Sequence, residues 1–394
     1  MFTPLCLDLS RKHGFSVAAV ESVIRFYGIR HGSMIMEALN TPTSKYYVRV
    51  NTLKTSRRDV LRALKYMGIR AFPSRLLPEA IYLVTEGPFF IKPQGKKVFA
   101  DKFASESVYV GADLYVPGVK KAPKVRAGDV VTIYSPSGAP VAVGIAQMDG
   151  VEMETGKKGI AVKVTRSVYR VPSLRATWLH SKGLIYEQSL PAMLASRILS
   201  PKPGWTIVDM CSAPGGKASH IAQLMGDEGT VIAVDRNNRK IEAISTLAAR
   251  LGLKSIKPLA ADSRYLDEKL SGLLGSVDAV MIDPPCSALG VRPKLYYDKS
   301  YFDLAVYPRY QRQFFLPAYK LLKKGGLIIY STCTILPPEN EFNVVWAIKR
   351  FKLQLIGQPV YYGLSIKIAS SYAQKFLPHL HDTPGFFIAL FRKI

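Results

Sequence analysis

Trp205-Thr206-Ile207-Val208-Asp209-Met210-Cys211-Ser212-Ala213-Pro214-Gly215-Gly216-Lys217 decides how this 394-residue chain is read. Trp205–Val208 is a short apolar run expected to form a strand. Asp209 closes it, and Ala213-Pro214-Gly215-Gly216-Lys217 forms a loop that opens a helix over Ala218–Met225. Glycines in such a loop let a ligand come against the backbone. Downstream the same alternation continues. Strands are expected at Val231–Val234, Ile256–Ala260, Val277–Ile282 and Leu327–Tyr330, and helices over Ile241–Leu251, Arg309–Leu322 and near Phe342–Arg350. Alternation of this kind predicts a parallel, doubly wound α/β sheet whose ligands gather at the carboxyl ends of the strands. Two further strands, Lys352–Gly357 and Phe386–Arg392, have no long helix between them and predict an antiparallel addition at one edge.

Four successive strand ends carry an aspartate: Asp209, Asp235, Asp262 and Asp283. One such residue is usually a cap or a turn. Four in register point to an adenosine-bearing ligand. Asp235 suits a ribose diol, and Asp262 can accept from an adenine amino group. The first loop is neither GxGxxG nor a P-loop and is too poor in glycine to cradle a pyrophosphate, so S-adenosyl-L-methionine fits better than NAD. The candidate cofactor set is Cys211, Ser212, Ala213, Pro214, Gly215, Gly216, Lys217, Asp235, Arg236, Lys240, Asp262, Asp283 and Pro284.

Of the four cysteines, Cys286 lies in Asp283-Pro284-Pro285-Cys286-Ser287 and Cys333 in Ser331-Thr332-Cys333-Thr334, each where a strand runs into a loop. Two thiols beside a methyl-donor loop suggest covalent attack on a base followed by methyl transfer. Cys6 and Cys211 read as inert buried thiols. No CxxC or Cys/His spacing indicates a metal or a disulfide framework, and a reducing cytoplasm fits best.

Upstream, Val17–Leu39 has helical periodicity. Tyr46–Asn51 and Ala80–Val84 read as strands, and Thr55–Tyr66 as a helix capped by Thr55 or Ser56. From Pro93 to Arg170, short apolar runs such as Ser107–Val110, Val130–Tyr134 and Gly159–Val164 alternate with glycine and proline turns, the pattern of a small β-rich barrel. Lys and Arg number 54 against 29 Asp and Glu, a formal charge of +25, which favours a polyanionic partner. A basic surface kept for solubility is the other reading. No apolar run reaches the length of a membrane span, and no signal-peptide pattern opens the chain.

These motifs resemble the Sun-family RNA 5-methylcytosine methyltransferases from about Gly183 to Ile394. The resemblance adds Tyr186-Glu187-Gln188-Ser189, Pro337-Pro338-Glu339-Asn340-Glu341 and Pro384-Gly385-Phe386-Phe387 to the stretches above. Ser212 and Thr334 depart from the usual Ala and Ser without touching a chemical role. The resemblance implies a Rossmann-like methyltransferase domain on a seven-stranded doubly wound sheet. Cys333 then attacks C6 of cytosine, Cys286 serves release, Asp283 holds the N3/N4 edge, and Lys217 contacts the base or lowers a thiol pKa. Phe386 or Phe387 either stacks on the extruded base or packs in the core.

The middle segment resembles a PUA domain through Gly111–Val119, Ala127–Val131 and Pro140–Gly144. PUA domains dock on structured RNA. The expected RNA contacts are Tyr115, Pro117, Gly118, Lys120 and Lys121, with barrel packing the alternative for Tyr115. The expected layout is an N-terminal α+β (RRM-like) segment over 1–92, a PUA domain over 93–171 and a methyltransferase domain over 172–394. This arrangement resembles the PUA-bearing branch that methylates tRNA near the acceptor end, with no metal and no membrane. Ribosomal RNA methylation and a non-catalytic RNA-binding assembly factor are the other readings.

Overall fold

The computed structural model describes residues 4–394. The chain folds into two compact units, each assembled from separated segments: Met1–Tyr46, Leu83–Ser173 and Arg292–Ser300 in one, Tyr47–Tyr82, Leu174–Val291 and Tyr301–Ile394 in the other.

The first unit holds the helices Pro4–His13 and Val17–Asn40 and a six-stranded sheet. Ser16 caps the second helix by accepting from the Ala19 N–H, and Gly28, at φ 72°, kinks it. The sheet runs in the order Leu114–Tyr115, Ile160–Ser167, Pro140–Ala146, Val130–Tyr134, Lys96–Ala100, Val119–Lys121. Lys96–Ala100 and Val130–Tyr134 are parallel, and the other neighbours antiparallel. Ser107–Val110 departs from the expected β pattern. It lies at the end of a helix, Lys102–Tyr109, capped by the Asp101 side chain accepting from the Ala104 N–H. The cap outweighs the β preference of Val108, which turns inward and is buried.

The second unit is built on a nine-stranded sheet. Its order is Ile256–Ala260, Thr230–Asp235, Thr206–Asp209, Val277–Ile282, Leu322–Thr332, Phe386–Lys393, Ser371–Phe376, Leu364–Ile368, with Leu353–Ile356 also paired to Phe386–Lys393. The first five strands are parallel. The chain winds outward from Thr206 to Ile256, then returns to the other side of Thr206–Asp209 at Val277. Strand order therefore reverses at Asp209, where this architecture opens a crevice.

Each strand sends alternate side chains to opposite faces. Ile207, Ala279 and Ile329 pack with Leu190, Leu194, Ile221 and Leu247 on one face. Val208, Val280 and Ile328 pack with Phe315, Leu321 and Val344 on the other. Burial on both faces explains the near-continuous apolar strands.

Two expectations change here. The sheet has nine strands rather than seven, because Leu364–Ile368 and Ser371–Phe376 form an unforeseen hairpin. The antiparallel addition is also not confined to an edge: Phe386–Lys393 lies between Leu322–Thr332 and Ser371–Phe376. The helix expected over Arg309–Leu322 is two helices, Tyr301–Arg312 and Phe315–Leu321, the second with Pro317 in its first turn, where a missing N–H costs nothing.

A second, four-stranded sheet runs Ile185–Glu187, Lys45–Val50, Ala80–Val84, Ala71–Pro73. Lys45–Val50 pairs antiparallel with Ile185–Glu187, Val48 opposite Glu187 and Val50 opposite Ile185.

Candidate active site

The loop after Thr206–Asp209 carries the backbone to the start of the Gly216–Leu224 helix. Gly215 caps that helix at φ 103°, a conformation that favours glycine. At Gly216 a Cβ would stand 3.0 Å from the Tyr186 ring, so the loop lies close under that aromatic.

Three of the strand-end aspartates are engaged. Asp235 Oδ1 accepts from the Arg236 N–H at 2.8 Å, and Lys240 Nζ lies 3.3 Å from Oδ2. Asp262 is gripped by Arg264, with Nη2 2.6 Å from Oδ2 and Nε 3.0 Å from Oδ1. That hydrogen bonding holds its carboxyl below the usual range. Asp283 accepts from Lys217 Nζ at 2.5 Å and from the Ser331 hydroxyl at 2.7 Å.

Asp209 differs. It is buried, and neither carboxylate oxygen has a hydrogen-bond partner. Burial, reinforced by the Asp283 charge, pushes its pKa to about 7; the Lys217 cation eases the charge most, and the Ser212 hydroxyl and Cys211 amide ease it further without well-formed hydrogen bonds. An orphaned buried carboxylate is costly in a folded protein and marks a place for a cationic partner.

The two thiols meet. Cys286 Sγ and Cys333 Sγ are 3.1 Å apart. Either thiol can donate in that contact; a proton held on Cys286 lowers the Cys333 pKa, and Lys217 adds a positive field, while burial and Asp283 oppose both. The same contact, with burial, raises Cys286. The contact thus favours the thiolate on Cys333 over that on Cys286. Burial alone would pull Lys217 down, but its bond to Asp283 outweighs that and leaves it a firm cation. Cys211 is pushed well up by burial and by Asp209 and Asp283, which fits an inert thiol.

The Pro337–Glu341 stretch explains itself in this setting. Glu339 Oε2 accepts from the Ser287 N–H at 2.9 Å and from Gln311 Nε2 at 2.8 Å, fixing the turn beside Cys286. Asn340 accepts from the Thr332 hydroxyl at 2.5 Å and donates to the Thr334 carbonyl at 2.9 Å, clamping both neighbours of Cys333. The Ser287 hydroxyl donates to Thr334 Oγ1 at 2.8 Å and ties the two thiol loops together. At Gly290 a Cβ would lie 2.2 Å from the Gly385 carbonyl oxygen and 2.8 Å from that of Cys333. The two loops and the Pro384-Gly385 turn pack there with no room for a side chain.

A cavity of about 290 Å³ joins these groups. Asp235, Asp262 and Asp283 line it together with Cys286 and Cys333, and so do Arg236, Lys240 and Pro284. A smaller one of about 160 Å³ is lined by Asp209, Ser212, Pro214, Gly216, Lys217 and Gln188; Cys211, Ala213 and Asp283 border both. Phe386 and Phe387 are buried in the two cores, and Lys217 Nζ sits 5.6 Å from the Phe386 ring centre.

Sequence reading did not find Arg264, Tyr310 or Arg49. Arg264 lies over the rings of Tyr265 and Tyr310, beside Asp262. No motif marks these residues. In the other unit Tyr115, Pro117, Lys120 and Lys121 are exposed. Gly118 is buried, with its carbonyl accepting from the Asp101 N–H at 2.8 Å, and a Cβ there would stand 2.3 Å from that of Ala104.

The Lys217 field yields a pH test. Replacing Lys217 by Met removes the cation while Asp283 stays, so the Cys333 pKa rises. The acid limb of thiol attack is then expected to move to higher pH by about one unit. Adduct-formation rates measured across pH check this; an unmoved limb would show that Lys217 does not tune the thiol.

A family model described as 16S rRNA methyltransferase RsmB/F matches residues 196–392, half of the chain. A tRNA (cytosine(72)-C(5))-methyltransferase of Pyrococcus horikoshii is 42% identical over 93% of this chain and 94% of its own length. The chain belongs to the RsmB/F, or Sun, family of RNA methyltransferases. A PUA domain matches residues 96–168, and the ferredoxin-like domain of RsmF/B-type methyltransferases matches 19–89. The crystal structure of NSun6 from Pyrococcus horikoshii with SFG has a TM-score of 0.89 at 41% identity, covering 97% of this chain and 99% of that one. The human tRNA (cytosine(72)-C(5))-methyltransferase NSUN6 is 34% identical over 80% of this chain and 75% of its own.

As a Sun-family methyltransferase the protein uses S-adenosyl-L-methionine as its methyl donor. The residues present suit that molecule. Asp209 would hold its ammonium, the Asp235 carboxylate its ribose diol, and the groups around Asp262 and Tyr310 its adenine. Among the described residues no helix is long and apolar enough to cross a membrane, and no cluster of three or more His, Cys, Asp or Glu is placed to hold a metal.

Proposed function

We propose that this protein methylates C5 of a cytosine in the acceptor region of tRNA, with Cys333 as the attacking thiolate and Cys286 as the group that permits release. The observation that carries the reading is the 3.1 Å contact between the two sulfurs, inside a cavity they share with Asp235, Asp262 and Asp283. C5 of cytosine is too weak a nucleophile to take a methyl group unaided. Addition of the Cys333 thiolate to C6 makes the ring an enamine whose C5 is nucleophilic. Asp283, fixed by Lys217 and Ser331, holds the base's N3/N4 edge. The bound donor supplies an electrophilic methyl group. Cys286, freed of its bond to Cys333 once that sulfur is occupied, first gives up its own proton to solvent; as a thiolate it takes the C5 proton, the C5=C6 double bond re-forms, and the Cys333–C6 bond breaks to return Cys333 as thiolate. A paired base cannot enter such a cavity, so the target leaves its stack.

The acceptor-region assignment is supported by relatives named for cytosine 72 and by the PUA match. Exposed Tyr115, Pro117, Lys120 and Lys121 are the assigned RNA contacts of that domain, and the Gly118 backbone shapes their turn. Of the expected segments, 93–171 then serves as RNA platform and 172–394, apart from 292–300, as catalyst, while 1–92 divides between the two units, with 47–82 in the catalytic one. No disulfide joins the four cysteines, which suits the cytoplasm.

The test supplies labelled methyl donor with tRNA or with rRNA and maps the product by bisulfite sequencing. Methylation of tRNA at cytosine 72 is expected. Incorporation into rRNA alone would overturn the substrate. No incorporation into either, with donor binding intact, would make the protein a binding factor.

A further inference from the structure

Arg49 sits mid-strand in Tyr47-Val48-Arg49-Val50 with 1% of its surface exposed. Burying a guanidinium is expensive unless its charge is used. Among the described residues no carboxylate lies within ion-pair distance of it. Glu79 acts on it only at range and is bonded to Arg197 Nη2 at 2.8 Å and to His220 Nε2 at 3.0 Å. Arg49 instead donates to the Gly216 carbonyl at 2.8 Å, the Ser219 hydroxyl at 2.7 Å and Gln188 Oε1 at 2.7 Å, with the Tyr186 ring 5.2 Å away. Every partner belongs to the donor loop, its helix or the Tyr186–Ser189 stretch.

The bond to Gln188 has a geometric consequence. A guanidinium has donors only, so the amide must turn its oxygen to Arg49. Its nitrogen is then fixed facing the other way. Gln188 is 8% exposed, lines the cavity of about 160 Å³, and its Nε2 has no partner. The same cavity is lined by Asp209, whose carboxylate oxygens lack a well-formed hydrogen bond and which the Ser212 hydroxyl only eases. A carboxylate acceptor and an unpaired amide N–H donor lining one small cavity are the complement of a zwitterion, an α-amino acid.

We propose that Arg49 is a positioning residue that holds Gln188 with its N–H group toward the cavity, where it binds the carboxylate of the donor's amino-acid moiety. This rests on the reading of the loop as the donor site. The ammonium falls to Asp209. Arg49 also stabilises the loop through Gly216 and makes the carboxylate end electropositive without touching the ligand.

Two ligands separate this from a general structural role. S-adenosylhomocysteine carries the amino-acid moiety, and 5′-methylthioadenosine keeps the nucleoside but lacks it. Gln188→Glu retains an oxygen for Arg49 and supplies a counter-ion, so the fold is preserved; it also removes the N–H and adds a negative charge. Calorimetry on the full chain is expected to show S-adenosylhomocysteine binding about tenfold weaker or more. 5′-Methylthioadenosine should stay within about twofold, with Tm unchanged or raised. Arg49→Met, which frees Gln188 to rotate, is expected to move the same ligand in the same direction. Parallel weakening of both ligands in Gln188→Glu, or no change in S-adenosylhomocysteine, overturns the proposal. Failure of the wild-type chain to bind either ligand would instead remove the donor-site reading and the proposal with it.

Discussion

Cys333→Ala is expected to abolish methylation and to leave no covalent RNA complex. Loss of a nucleophile that acts with its neighbours as one unit costs roughly 10⁴-fold or more. The structure says why no other group substitutes. Asn340 clamps Thr332 and Thr334 on either side of Cys333, and Lys217 and the Cys286 thiol both favour its thiolate. Cys286 is biased the other way, held protonated by the same contact and by burial. Cys211 borders the same cavities, but burial, with Asp209 and Asp283 beside it, disfavours its thiolate. Donor binding is expected to survive the substitution, because the strand-end aspartates do not depend on that sulfur. Methyl incorporation into tRNA and donor affinity, measured side by side, check both halves.

Cys286→Ala is expected to do the opposite of simple inactivation. Attack by Cys333 and entry of the methyl group still proceed, but the adduct accumulates because the group serving release is gone. Incorporation should stop near one methyl per enzyme, with RNA attached to the protein. The thiolate bias on Cys333 weakens when the Cys286 donor is lost, so attack slows, while Lys217 keeps it from stopping. Equal, adduct-free loss of turnover in this variant would mean that Cys286 acts before the covalent step. A single-turnover time course distinguishes these.

Much of this site is legible in the chain because its chemistry sits in contiguous motifs at strand ends. The donor loop, the four aspartates and both thiol loops lie where alternation of strands and helices places them, and Asn340 and Glu339 belong to a stretch the family resemblance had already marked. The hairpin over 364–376 was hidden because its turn uses Ala369 at φ 53° instead of glycine or asparagine, so no turn signal appears. The Lys102–Tyr109 helix was hidden by β-favouring residues at its end, overruled by the Asp101 cap. Arg49 was invisible for a different reason. Its partners Gln188, Gly216 and Ser219 lie more than 130 residues away, and nothing local separates a buried, bonded arginine from an exposed one in a strand.

The division of labour between the two thiols is the centre of the account, and one denaturing gel tests it. Labelled tRNA and methyl donor are incubated with the wild-type chain, Cys333→Ala and Cys286→Ala, and protein-linked RNA is read directly. The account predicts a retarded, covalent band in Cys286→Ala and none in Cys333→Ala. A band in Cys333→Ala with none in Cys286→Ala would reverse the assignment and contradict the mechanism drawn from the 3.1 Å sulfur pair.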